Sequence, residues 1–206
     1  MQILKQTIIA ATLAMATYSA IAQNEVALQK AFSDSYTQEY YKKYTDAITT
    51  ITKVNSDDNY ETNLRLGWLF YINKNYAQSQ VHYQKAVEVK PYSVEAKLGL
   101  VKPLSVIESW DKVLQQYEDI LKIDAQNYTA NYWLGVIYYN RKKYEPCIKL
   151  FEKLVNLYPF DYDANHMLAW SYINSGRNND AKILFNKALL IKPADASSLA
   201  GLAKLK

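Results

Sequence analysis

The chain has 206 residues, half of them hydrophobic, with only five glycines and five prolines. That composition excludes a disordered tail and suits a soluble unit with a real core. The formal charge of +4 is mild and no long block of like charge occurs, so the basic stripe of a nucleic-acid binder is missing. Tyrosine, at 19 copies, is the outlier, and its amphipathic ring suits half-buried helix surfaces and binding faces.

Residues 1–22 read as an export signal. Lys5 supplies a short positive segment, 7–16 ("TIIAATLAMA") an apolar core, and 20–22 ("AIA") the small-residue cleavage pattern, which makes Gln23 the expected mature N-terminus. The apolar stretch is short for a membrane span, which needs about 20 residues; an uncleaved anchor is the alternative. No cysteine follows the signal, so a lipid-modified N-terminal cysteine is not expected. No other long apolar run exists, and the mature chain is expected to be soluble without a transmembrane segment. The lone Cys147 has no internal disulfide partner, so an exported chain of this kind must stabilise itself by packing.

Downstream, the sequence repeats every 34 residues. Asn59, Ser93, Asn127, Asp161 and Asp195 stand in register, and all are residue types that cap a helix N-terminus through a side-chain oxygen. Two residues later come Glu61, Glu95, Thr129, Asp163 and Ser197; the three acids suit the first turn, where the helix dipole favours negative charge. Two residues before the caps come Asp57, Pro91, Ala125, Pro159 and Pro193, and proline there ends the preceding helix. The acidic stretch "LYPFDYD" (157–163) is therefore read as a stop, a cap and a first turn rather than a metal site. Within the period, Leu66, Leu100, Leu134 and Leu168 precede a small column of Gly67, Val101, Gly135 and Ala169. Ser79, Val113, Cys147 and Ala181 form a second small column. Tyr83, Tyr117, Phe151 and Phe185 are aromatic in every copy, followed by Ala86, Ile120, Leu154 and Ala188. Small residues that let helices approach, alternating with large ones that fill the gap, describe stacked helical hairpins.

The runs at 66–91, 134–159 and 168–193 resemble the tetratricopeptide repeat (TPR) family, whose pattern is L-G, a tyrosine, a buried alanine, an aromatic, another alanine and a closing proline. The resemblance implies an all-α fold, a right-handed α-solenoid of stacked antiparallel helix pairs. The expected units are a degenerate N-terminal helical repeat (23–59), four repeats (60–93, 94–127, 128–161 and 162–195) and a closing helix (196–206). In the degenerate repeat, 42–54 resembles a second helix, whereas the helix preceding it, over about 25–40, fits the pattern poorly. Two departures stand out. The family's tryptophan at the fourth position is replaced by Asn63, Lys97, Asn131 and Asn165, and Pro103 is expected to kink or end its helix near Lys102.

No catalytic constellation, cofactor motif or metal site is expected. The glycines are too scattered for a phosphate loop. His82 and His166 lie in different repeats, Cys147 falls in a buried column, and "NSDDN" (55–59) lacks the spacing of a calcium loop.

The resemblance further implies a concave face lined by the second, fifth, ninth and twelfth positions of each repeat. These are Glu61, Leu64, Trp68 and Tyr71; Glu95, Leu98, Lys102 and Ser105; Thr129, Tyr132, Val136 and Tyr139; and Asp163, His166, Trp170 and Ile173. The candidate groove residues are Glu61, Leu64, Trp68, Tyr71, Lys102, Tyr132, Tyr139, His166 and Trp170, with the aromatics as anchors. A terminal helix filling the groove is the competing possibility. The expected function is a non-enzymatic scaffold in the cell envelope, periplasmic or secreted, that holds a peptide or helix of another protein. An envelope carbohydrate binder or a self-assembling structural protein is the alternative, and nucleic-acid binding is disfavoured by the export signal and weak charge.

Overall fold

The computed structural model describes residues 24–205, so the export signal expected over residues 1–22 lies outside the described residues. All regular structure among the described residues is helical. The helices are α1 (24–40), α2 (Tyr44–Thr52), α3 (Tyr60–Ile72), α4 (Tyr76–Val89), α5 (Val94–Val106), α6 (Trp110–Ile123), α7 (Tyr128–Asn140), α8 (Tyr144–Leu157), α9 (Tyr162–Asn174), α10 (Asn178–Ile191) and α11 (Ala196–Ala203). They belong to two compact units divided between Glu108 and Ser109, with α1–α5 in the first and α6–α11 in the second.

The five in-register polar residues all cap helices. The backbone N–H three residues on donates to the side chain of Asn59 (2.9 Å), Ser93 (3.1 Å), Asn127 (3.0 Å), Asp161 (2.7 Å) and Asp195 (2.7 Å). Each bond satisfies an amide that the new helix leaves without a partner. Asp163 then lies in the first turn of α9, so the D-x-D pair is accounted for by helix initiation.

The asparagines in place of the family's tryptophan tie the same turns together. Asn63, Asn131 and Asn165 are fully buried. The Nδ2 of Asn63 donates to the carbonyls of Ser56, Asp57 and Asn59; that of Asn131 to Ala125 and Asn127; that of Asn165 to Pro159 and Asp161. One side chain thus pins the carbonyls that the ending helix and the cap leave exposed.

At several of the connections between successive helices the chain passes through a single left-handed residue. Lys42, Lys74, Glu108 and Lys142 have φ of 59, 62, 57 and 58°, and Gly176 has φ 80°. At Lys142 the N–H of Lys143 donates to Tyr138 O (2.9 Å) and that of Lys142 to Tyr139 O (2.9 Å), the paired bonds that close a helix C-terminus. A side chain with a Cβ is strained there and glycine is not. Lys142→Gly is therefore expected to stabilise the protein by about 0.5–1 kcal/mol, read as a higher midpoint in urea denaturation. An unchanged or lower midpoint would count against the strain.

Aromatic side chains of the second helices wedge between neighbouring first helices. A Cβ on Gly67 would stand 2.7 Å from the Tyr83 ring and one on Gly99 2.3 Å, so Tyr83 is clasped between α3 and α5. In the second unit Phe151 meets Gly135, and Phe185 meets Gly201 of α11, in the same way. The cores contain Ala31, Ala47, Ile51, Leu66 and Leu69 in the first unit and Cys147, Ile148, Phe151, Leu154, Leu168, Phe185 and their neighbours in the second.

One expectation is corrected. The helix carrying Pro103 neither ends nor is interrupted at Lys102: α5 continues to Val106, with Ile107 N–H donating to Pro103 O at 3.1 Å. Proline forfeits one bond to the carbonyl four residues before it, but Pro103 and Leu104 are both buried, and their packing offsets that loss. The helix before 42–54 is α1, whose Ala31 packs with Ala47 and Ile51 and whose Gln38 side chain accepts from Thr50 Oγ1 at 3.0 Å.

Candidate functional site

The first unit carries a surface groove of about 1230 Å³ whose walls are α1, α3 and α5. Four of the sequence-derived groove residues line it: Glu61, Leu64, Trp68 and Lys102. Leu98 and Glu95 of the same stripe join them, together with Phe32, Tyr36, Glu39 and Tyr40 from α1 and Arg65 from α3. Helix periodicity explains the α3 and α5 contributions, since positions three and four apart share a face. Tyr71 is not among the lining residues; its ring stacks obliquely between Trp68 (6.0 Å) and Tyr76 (5.8 Å).

The centre of the groove is a polar knot that no repeat pattern foretells. Arg65 is 6 % exposed. Its Nη1 forms an ion pair with Glu39, its Nε donates to Ser35 Oγ (3.1 Å), and the Tyr36 ring lies 4.0 Å from its guanidinium carbon. The other Glu39 oxygen accepts from Trp68 Nε1 at 2.7 Å. Lys102 Nζ lies 5.8 Å from the Trp68 ring centre. At the helix N-termini the groove is acidic but compensated. Lys90 Nζ donates to Glu61 (3.0 Å) and sits 4.0 Å above the Tyr60 ring, while the Tyr60 hydroxyl donates to Glu95 (3.1 Å). That Lys90 contact holds the Glu61 carboxyl below its usual range. Burial is the main cause that raises the Tyr60 phenol.

The remaining candidates lie in the second unit and are largely engaged. Tyr132 is half-buried, stacked on Tyr128 (6.0 Å) and edge-on to Phe151 (5.8 Å). The Tyr139 hydroxyl accepts from Asn174 Nδ2 at 3.0 Å. His166 and Trp170 face α11: Ser197 Oγ is 2.9 Å from His166 Nε2 and accepts from Trp170 Nε1 at 3.1 Å. Lys204 adds its ammonium 5.0 Å from the Trp170 ring. The closing helix thus engages His166 and Trp170 of the stripe on α9. Burial pulls the His166 imidazole below its usual range, so it stands neutral at pH 7.

Among the described residues no group of three or more His, Cys, Asp or Glu side chains is placed to hold a metal ion. His82 instead stacks on Phe70 (5.3 Å) and bonds Asn63 (2.9 Å). Cys147 is fully buried, with its Sγ 3.1 Å from Ser171 Oγ, and burial pushes its thiol up to about 11, which suppresses the thiolate. No helix among the described residues is long and apolar enough to cross a membrane.

Two family models, both described as tetratricopeptide repeat, match residues 60–93, 128–161 and 162–195. Among solved structures the chain is similar to a tetratricopeptide repeat protein from Parabacteroides merdae ATCC 43184, with a TM-score of 0.75 and 16% identity over 87% of this chain and 72% of that one. It is also similar to MamA, with a TM-score of 0.71 and 20% identity over 82% of this chain and 94% of that one. No curated protein sequence matches significantly. The three matched repeats make the chain a tetratricopeptide repeat protein, and the solved structures share its all-helical fold. Its fold is that of a protein–protein interaction scaffold.

Proposed function

We propose that the protein is a non-catalytic scaffold of the cell envelope that holds a peptide segment of a partner protein in the groove of its first unit. The observation that carries this reading is the groove itself: about 1230 Å³, rimmed by exposed Tyr36 and Tyr40 and floored by Leu64, Trp68 and Leu98. Small-molecule pockets are commonly about 300–1,000 Å³ and enclose their ligand. A longer trough with aromatic anchors and ready hydrogen-bonding groups suits an extended chain. Export rests on the charged start, apolar core and A-x-A motif of residues 1–22.

The test is crosslinked capture from native envelope extract, comparing the mature protein with a Tyr40→Ala/Leu98→Ala variant. Tyr40 is 82 % exposed and Leu98 half-buried, so the variant is expected to keep its helicity and melting profile. One partner should be captured by the first protein and lost by the second, and the recovered chain should begin at Gln23. Equal capture of the same partner by both would place binding elsewhere on the molecule.

A further inference from the structure

We propose that the groove selects an acidic side chain, an internal Asp or Glu flanked by apolar residues, and seats it between Arg65 and Lys102 beside Trp68. This rests on the reading of the groove as a peptide site. It follows from an inventory of the charges that line it. Every carboxylate there already holds a donor: Glu39 takes Arg65 and Trp68, Glu61 takes Lys90, and Glu95 takes the Tyr60 hydroxyl. The lining cations are not all matched in return. Lys42 and Lys102 are exposed and neither forms an ion pair among the described residues, Lys102 meeting the Trp68 ring. Arg65 is 94 % buried by its 6 % exposure, yet its Nη2 has no hydrogen-bond acceptor.

A buried guanidinium nitrogen without an acceptor is costly, by about 1–3 kcal/mol or more for a charged group. It can be relieved by a carboxylate, which a guanidinium binds through two parallel N–H donors. Arg65 already shows this chemistry with Glu39, but through Nη1 alone. The Tyr36 ring lies 4.0 Å from the guanidinium carbon and is itself 57 % exposed, so a rotamer change would open that face of the guanidinium. An entering carboxylate would meet Nη2 on one side and Lys102 on the other, and Lys102 would offset its repulsion from Glu39. Leu64, Leu98 and Tyr40 take the apolar flanks.

The experiment uses three pools of acetylated, amidated nonapeptides with the same Leu, Tyr and Ser flanks and a central Glu, Gln or Lys. Blocked ends leave the central side chain as the sole difference in charge. Fluorescence anisotropy should give the Glu pool an affinity about tenfold or more above the Gln pool, the range of a hydrogen bond to a charged group. Lys102→Glu, a surface change whose folding is checked by circular dichroism, should abolish or invert that preference. Equal binding of all pools, lost in Tyr40→Ala/Leu98→Ala, would overturn the acidic anchor while leaving the peptide groove standing. A Glu preference that survives in Lys102→Glu would also overturn the assignment. Binding by no pool would overturn both readings.

Discussion

Phe185→Ala is expected to destabilise the second unit by about 3–5 kcal/mol, the range for removing a fully buried aromatic. The ring has no exposed surface and is among the largest fully buried side chains. It lies edge-on to Trp170 at 5.3 Å and to His166 at 6.3 Å, and a Cβ on Gly201 would stand only 2.3 Å from it. Alanine would leave a hole bounded by α9, α10 and α11 with little to fill it, because helix backbones rather than flexible chains form part of its wall. Urea denaturation followed by circular dichroism measures the loss. A second effect should accompany it: Trp170 and Ser197 meet above this ring, so tryptophan emission should shift as α11 loosens. A loss below about 1.5 kcal/mol would mean that the helices collapse onto the hole, and that Phe185 fills space without setting their spacing.

Glu39→Ala is expected to cost about 2–3 kcal/mol, in the range for removing one partner of a charged pair whose other member stays buried. The carboxylate is the sole acid paired with Arg65, whose side chain is 5 % exposed, and it also receives the Trp68 indole N–H. Its own partial exposure, 24 %, keeps the effect below that of a wholly buried pair. Glu39→Gln keeps the shape and an acceptor for Trp68 but removes the charge, so it separates the two contributions. Adding Arg65→Met to Glu39→Ala should recover much of the loss, since the stranded charge disappears with it. Thermal melting of the wild type, Glu39→Ala, Arg65→Met and the double variant completes the cycle. Additive losses would mean that Arg65 and Glu39 are not coupled.

Much of the fold was legible in the sequence because its signals are local and periodic. Asn59, Ser93, Asn127, Asp161 and Asp195 announce helix starts by chemistry that depends only on the next three residues. The alternation of Gly67, Gly135 and Ala169 with Tyr83, Phe151 and Phe185 announces pairing because a small residue and a large one must meet. The site was legible only along α3 and α5. The α1 wall was not, since α1 follows the repeat pattern poorly and stands two residues out of the 34-residue register, and the meeting of Glu39 with Arg65 and Trp68 spans about thirty residues. The engagement of His166 and Trp170 was equally hidden, because spacing along α9 does not say that Ser197 will come to rest against them. The left-handed turns escaped notice for a different reason: lysine or glutamate stands where glycine would have flagged them.

The boundary between the compact units has a consequence for how such a chain can be cut or copied. It falls between Glu108 and Ser109, whereas the periodic caps begin new copies at Ser93 and Asn127. The length that duplication would have multiplied and the length that cooperates in packing are therefore out of phase by about half a period. A fragment ending at a copy boundary would strip α5 from Tyr83, while one ending at Glu108 keeps that ring clasped on both sides. Gene dissection of this protein should follow the packing phase, not the phase of inheritance.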